Sequence, residues 1–410
     1  MIKKDLENKV IFHLDVDAFF VSSELTLRPE LKNHDIAITV GLDNSIVSSL
    51  SYSAKNKGAK VPMKVKEVKK YCPNLVCLKP NFNLYSHLSN QIYQYLFKNY
   101  TKAIEIGSID EWFLDVTKIW SKFKSVKNLA KAIQTKIKQK FNLDVSIGIS
   151  YNKFLAKIAT DLNKPLGISI INHQNFQAKI WDLPIEKYWG IGKTLANQLV
   201  SLNIKTIGDL AKQNPDDEKL KQIFKNQIHH YINQANGIGA SVINDDRNDL
   251  NIIANSLTFY LGPTNDYLQI INQLKAVALM VETRLKERCL KGDKLILSLK
   301  LAKNSQISTS LNLGISTNDF ATIYQNALIL LENFWKEQLI IGIGIGITNL
   351  SNFYENETID LFENSKNNSV EPAQLAISLI NQKLQKKVAF SLKEYQENKT
   401  LKANQSKYIK

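Results

Sequence analysis

The chain of 410 residues has little cysteine, little arginine and no long apolar run. Its three cysteines, Cys72, Cys77 and Cys289, match no zinc-ligand spacing and cannot build a disulfide framework. A reducing, cytoplasmic setting is therefore expected. No stretch reaches the length of a bilayer span, and Met1-Ile2-Lys3-Lys4-Asp5 leads into no apolar signal core, so no membrane partner is expected. Arginine occurs only at Arg28, Arg247, Arg284 and Arg288, although basic residues outnumber acidic ones 53 to 38 and the net charge is +15. Lysine thus supplies nearly all the positive charge. It meets phosphate as a point charge and is a poor bidentate reader of bases. The balance favours a polyanionic partner gripped through its backbone, while serving solubility equally well. A hydrophobic fraction of 44% and a mean hydropathy of −0.21 describe a globular chain. Its length is too great for one core and suggests roughly two to four domains.

What is present centres on Ser108-Ile109-Asp110-Glu111, flanked by Ile104 and Ile106 on one side and by Trp112-Phe113-Leu114 on the other. The apolar flanks predict two short strands with adjacent carboxylates at the turn between them. Burying two anions is costly unless a cation neutralises them. A second apolar strand, Ile11-Phe12-His13-Leu14-Asp15-Val16-Asp17, also ends in carboxylates. Bringing Asp15 beside Asp110 and Glu111 makes an all-oxygen site suited to magnesium. Taken singly, an Asp-x-Asp stretch is more often a solvated turn with helix-capping aspartates.

With an insertion at 36–81 set aside, residues 10–161 read β-α-β-β-α-β, the split βαβ or ferredoxin-like pattern. Helices are predicted from 18 to 27, over 85–100, 126–141 and 153–161, and a strand over 145–149. That topology carries the end of the first strand to the middle hairpin, independently of any motif. The insertion is a small mixed unit with strands at 36–40 and 46–50 and a helix over 63–70. Tyr52-Ser53-Ala54-Lys55 sets a phenol and an ammonium on one face of a helical turn, where they can grip a triphosphate. Lys164, in Asn163-Lys164-Pro165, follows the last helix within reach of a bound phosphate.

Residues 172–240 change to a helical character. Gly190-Ile191-Gly192-Lys193 opens an apolar helix and resembles the turn of a helix-hairpin-helix, whose free amides hold DNA backbone. A P-loop is rejected, because its first glycine falls at Lys187 and no parallel strand precedes it. A polar stretch at 237–249 reads as a linker. Beyond it the β-α-β-β-α-β order recurs over 252–347. Its last strand carries glycine at Gly342, Gly344 and Gly346, which is read as a tightly covered sheet rather than a docking face. The tail from 352 is rich in Asn, Lys, Gln and Glu, with one apolar patch, Thr358-Ile359-Asp360-Leu361-Phe362. A helix is predicted near 373–384, and the last dozen residues are predicted disordered.

These residues resemble the Y-family (translesion) DNA polymerases of the bacterial polymerase IV type. Asp15-Val16-Asp17-Ala18-Phe19-Phe20 matches the family's first motif, and Ser108-Ile109-Asp110-Glu111 with Leu114-Asp115-Val116-Thr117 its most specific one. Tyr52-Ser53-Ala54-Lys55, Asn163-Lys164-Pro165 and Gly190-Ile191-Gly192 follow in the family's order. The resemblance covers residues 10 to about 350 and implies an α+β right hand. Its parts are a ferredoxin-like palm (1–18 and 82–171), small fingers (19–81), a helix-hairpin-helix thumb (172–240), a linker (241–250), a second ferredoxin-like little finger (251–351) and a tail (352–410).

The resemblance further implies low-fidelity, template-directed DNA synthesis by a monomer acting on primer-template DNA and deoxynucleoside triphosphates. Asp15, Asp110, Glu111 and the Val16 carbonyl are expected to hold two Mg²⁺ ions. Tyr52, Lys55 and Lys164 are expected on the triphosphate, and Phe20 under the sugar as a steric gate. Gly190, Gly192 and Lys193 are expected on the DNA backbone, and Ile359, Leu361 and Phe362 on a sliding clamp. The chain departs from the family pattern at Lys55, where arginine is usual, and at Leu50 and Ser51, where alanine and asparagine are common. The clamp peptide lacks its usual glutamine. A palm-type nucleotide cyclase and a non-catalytic DNA-binding scaffold are the rival readings. The cyclase has no use for the glycine hairpin, and the scaffold none for the three acids.

Overall fold

Ile11–Val16 forms strand β1, buried along its whole length, and a sheet grows from both of its edges. The computed structural model describes residues 9–244, 250–259, 262–301 and 305–353. The tail with Ile359, Leu361 and Phe362, the helix expected at 373–384 and the acidic stretch 245–249 lie outside the described residues. The chain divides into two units, Met1–Asp249 and Leu250–Lys410.

In the first unit β1 leads into α1 (Phe19–Leu27) and a small sheet of β2 (Ile36–Ile38), β3 (Ser49–Leu50) and β4 (Val76–Leu78). Helices α2 (Tyr52–Asn56) and α3 (Val65–Val68) belong to that small layer. Then follow α4 (Phe82–Asn99), β5 (Ile104–Ile106), β6 (Glu111–Asp115), α5 (Val126–Phe141), β7 (Val145–Ser150), α6 (Lys153–Leu162) and β8 (Ile168–Ile170). The larger sheet runs β5-β6-β1-β7-β8, with β1 antiparallel to both β6 and β7. This is the split βαβ order plus one parallel edge strand, β8, a three-residue element not expected from the sequence. In the insertion β4 is likewise unannounced. The strand expected at 46–50 shrinks to two residues, and Ile46 makes an isolated bridge to Lys64 instead.

Alternation along β1 decides what the site is made of. Phe12, Leu14 and Val16 enter the core built with α4 and α5, whereas Ile11 packs on the other face with Phe113 and Ala156 of α6. His13 and Asp15 share the face of Ile11. On β6, Trp112 and Leu114 join the α4–α5 core, and Glu111 and Phe113 point the opposite way. Helix α6 can lie against that second face because residue 148 is glycine. A Cβ there would stand 2.0 Å from the Ala156 carbonyl oxygen and 2.4 Å from the Thr160 nitrogen.

Helices α7 (Phe176–Ile180), α8 (Lys193–Ser201), α9 (Ile207–Ala211), α10 (Glu218–Phe224) and α11 (Ile228–Ala235) share a further core with Phe154, Leu155 and Ile158 of α6. The polar stretch expected as a linker is pinned as far as Asn244. Asn152 Nδ2 donates to the Gly237 carbonyl (2.8 Å), and the Asn244 amide donates to Glu105 (2.9 Å). Ile243 packs beside Ile11 and Phe113.

The second unit comprises β9 (Ile252–Thr258), α12 (Tyr267–Glu287), β10 (Leu290–Leu301), β11 (Gln306–Thr317), α13 (Phe320–Phe334) and β12 (Ile340–Asn352). Its element order repeats that of the larger sheet, but its strands pair as β11-β10-β12-β9. The last strand, not the second hairpin strand, lies between the first two. Ile343, Ile345 and Ile347 of β12 face the core with α12 and α13. The glycines therefore face away from the helices and are buried by atoms of the flanking strands, as a tightly covered sheet requires. They floor a trough of about 490 Å³ lined by Ser256, Ser298 and Lys300. A Cβ at Gly344 would stand 2.6 Å from Ser298 Oγ, so the absent side chains are needed by the neighbouring strands themselves.

Candidate active site

The antiparallel register sets Asp15 directly opposite Glu111, and the Val16 amide donates to the Asp110 carbonyl at 3.0 Å. Asp15 and the adjacent pair Asp110 and Glu111, distant from it in sequence, thus meet at one strand end. They line a cleft of about 670 Å³ together with Val16, Phe20, Tyr52, Lys55 and Lys164. Asp110 accepts a hydrogen bond from Ser108 Oγ at 2.6 Å. Asp15 and Glu111 are instead bridged by an ammonium: Lys157 Nζ lies 2.6 Å from Glu111 Oε1 and 3.4 Å from Asp15 Oδ2. Lys164 Nζ reaches the same Asp15 oxygen at 2.5 Å and Asp161 at 3.2 Å. Among the described residues, no three acidic, histidine or cysteine side chains close into a ready metal cage.

The electrostatics follow from this crowding. Burial raises the Asp15 carboxyl to about 7, with Lys164 and Lys157 pulling it back. Burial also opposes charge on Glu111, but hydrogen bonding to His13, Asp15 and Lys157 outweighs it and holds that carboxyl well below the usual range. Desolvation works against the Lys157 and Lys164 ammoniums, yet the surrounding carboxylates win and raise both. This donor set suits a divalent cation: facing carboxylates on a strand pair, an adjacent third, and enough burial that the pair draws positive charge to itself.

Four residues given no role in the sequence reading complete the site. Asp17, 3% exposed, accepts from Tyr52 Oη (3.1 Å), Ser146 Oγ (2.9 Å) and the Leu166 amide (2.8 Å). It thereby ties Tyr52 to the turn carrying Lys164, where Leu166 adopts φ +57°. His13, wholly buried, sits 3.4 Å from Glu111 and 2.8 Å from Thr160 Oγ1, and burial lowers its pKa. Lys157 and Thr160 are one turn apart on α6 and meet Glu111 and His13 respectively. The Asp-x-Asp spacing announced Asp17. The rest needed the packing of α6 on the sheet.

Phe20 stacks on Tyr85 with centroids 4.5 Å apart and planes at 16°. Tyr85 is fixed in turn by Glu24 (2.8 Å), which Arg28 also contacts (3.0 Å). Lys55 Nζ lies over the Tyr52 ring at 4.6 Å. Burial and the nearby Lys164 ammonium lower the Lys55 pKa. Gly190, Gly192 and Lys193 stand outside this cleft. Gly190 adopts φ +104°, and Gly192 is the uncapped N-terminus of α8, open on the side where a Cβ would project.

Residues 14–161 match the impB/mucB/samB family, 173–204 the IMS family HHH motif and 252–361 the impB/mucB/samB family C-terminal domain. The DNA polymerase IV of Ureaplasma parvum serovar 3 is 35% identical over 350 residues, 85% of this chain and 96% of that protein. DNA polymerase IV 1 of Bacillus subtilis is 30% identical, covering 98% and 95%. Among solved structures, a Y-family DNA polymerase chimera superposes with a TM-score of 0.73 at 24% identity, over 84% of this chain and 99% of its own, a likeness of fold. Palm, thumb and little finger are thus the terms for this architecture. With curated relatives matched along nearly their whole length, the chain belongs to the Y-family (translesion) DNA polymerases of the bacterial polymerase IV type.

Proposed function

We infer that the protein is a DNA-directed DNA polymerase that extends a primer 3′ end on a template with low fidelity, in translesion synthesis and repair. The observation that carries the reading is the meeting of Asp15 and Glu111 in register, beside Asp110, in a cleft shared with Phe20, Tyr52, Lys55 and Lys164. Neither rival reading accounts for matches to the catalytic region, the hairpin motif and the C-terminal domain together.

Divalent-metal dependence belongs to the family, and Mg²⁺, two ions per site, is our assignment. Asp15, Asp110, Glu111 and the Val16 carbonyl would hold them. Bound there, they supply Lewis acidity for the primer hydroxyl and offset charge on the leaving pyrophosphate. The chain's own residues do the rest. Lys164, Lys55 and Tyr52 bind and orient the triphosphate. The Phe20 ring, braced by Tyr85, excludes a 2′-hydroxyl and so selects deoxynucleotides. Ser48 and Ser49 keep the cleft wall small above the base, which tolerates distorted templates. Gly190, Gly192 and Lys193 receive DNA phosphates through amides and one ammonium. Ile359, Leu361 and Phe362 are assigned to a sliding clamp. The protein is assigned as a cytoplasmic monomer with the palm, fingers, thumb, linker and little finger bounded as read from the sequence.

Primer extension with Mg²⁺ on intact and abasic templates tests the assignment. Joint replacement of Asp110 and Glu111 by Ala should lower extension by roughly a thousandfold or more while DNA binding persists. Retained extension by the purified variant overturns the metal-site assignment.

A further inference from the structure

Lys157 lies at the centre of the acidic pair and has no task in the chemistry above. Its ammonium contacts Glu111 at 2.6 Å and Asp15 at 3.4 Å, and its side chain is 12% exposed. The two lysines on Asp15 differ in position. Lys164 lines the cleft, within reach of a nucleotide, whereas Lys157 is not among the residues that line it. Lys157 reaches the pair from α6, which Gly148 admits against the sheet. Lys153, one turn earlier, is already engaged with Glu105 at 2.9 Å.

Two carboxylates facing each other across a strand pair repel, and their burial adds a desolvation cost. A cation must therefore accompany them for the fold to keep both ionised. We propose that Lys157 is an internal counter-ion that stands in for the divalent cation at the Asp15–Glu111 pair and competes with it for the Glu111 oxygen. The proposal rests on the reading of Asp15 and Glu111 as cation ligands. It makes Lys157 a positioning residue with two effects of opposite sign: it stabilises the cation-free fold and weakens cation binding. A lysine with a merely structural role would support both together, and its loss would leave cation binding unchanged or weaker.

The test uses the full chain without DNA or nucleotide. Mn²⁺ binding is measured by titration calorimetry, and melting is followed in chelator and in Mn²⁺. Lys157→Met should bind Mn²⁺ about tenfold more tightly than the unaltered chain, since repulsion from one buried charge is removed. It should also melt at a lower temperature in chelator and gain more on Mn²⁺ addition. Unchanged or weaker Mn²⁺ affinity in the folded variant overturns the proposal. Should Lys157→Met give no folded protein in either medium, Lys157→Gln runs the same comparison with the same two outcomes. Asp15→Asn separates the two readings. If it leaves Mn²⁺ affinity intact, the ligand reading itself fails. If it abolishes binding while Lys157→Met does not tighten it, the ligands stand and the counter-ion role falls.

Discussion

Asp17 is held by three neutral donors, and that distinguishes it from Asp15, which is held by ammoniums. Neutral donors fix a carboxylate in place, whereas an ammonium can be exchanged for another cation. Replacing Asp17 by Ala leaves the buried Ser146 hydroxyl and the Leu166 amide without their partner. The loss should cost about 1–3 kcal/mol of stability in urea denaturation. The same change frees Tyr52 and the Lys164 turn from their common anchor, so the KM for nucleotide should rise more than kcat falls. Phe20 is a different case, since its ring is aimed by stacking. Phe20→Ala should raise ribonucleotide incorporation, and unchanged selectivity between dNTP and rNTP in primer extension would remove its gate role.

Helix α6 is the element on which the site turns. It brings Lys153 to Glu105, Lys157 to the acidic pair and Thr160 to His13, all from one face of the sheet. Its approach depends on Gly148. Gly148→Ala would drive a methyl into the Ala156 carbonyl, so α6 must shift. Overpacking of this kind costs about 1–3 kcal/mol, measurable by chemical denaturation. Because the shift moves Lys157, the variant should also alter Mn²⁺ affinity, which a simple loss of stability would not do. The sequence made α6 legible as a short basic helix. Its seat against Gly148 was not legible, because close backbone approach leaves no periodic signal. Strands β4 and β8, three residues each, were not read either: unlike β5 they carry no carboxylate turn that draws attention to so short an alternation.

Across the whole molecule, charge and chain length set the terms. A net charge of +15 carried almost entirely by lysine suits phosphate contact that weakens steeply with salt. Binding of primer-template DNA by the full chain should therefore fall strongly between low and physiological salt, with little dependence on sequence. Filter binding at several salt concentrations on two unrelated duplexes checks this. Deleting residues 359–362 should reduce processivity only when a sliding clamp is present. An equal loss without the clamp would mark misfolding instead. Hydrogen bonds at Gly237 and Asn244 make the polar stretch 237–244 part of the first unit, where polarity alone suggested a linker.

The sequence by itself determined the β-α-β-β-α-β order that the larger sheet, β8 apart, shares with the second unit, and the carboxylates at the strand ends. Alternation and helical period are local, and burying adjacent anions demands a cation wherever they lie. It also determined Phe20, Tyr52, Lys55 and Lys164 as candidates, through the family resemblance. Only the tertiary structure decided which cation side chains meet those anions, because Lys157 reaches Glu111 through the packing of α6 and not through any sequence spacing. The strand order of the second sheet was likewise decided in three dimensions. The same β-α-β-β-α-β string admits two pairings, and the choice falls to how Ile343, Ile345 and Ile347 pack under the helices while their glycine neighbours yield room to the flanking strands.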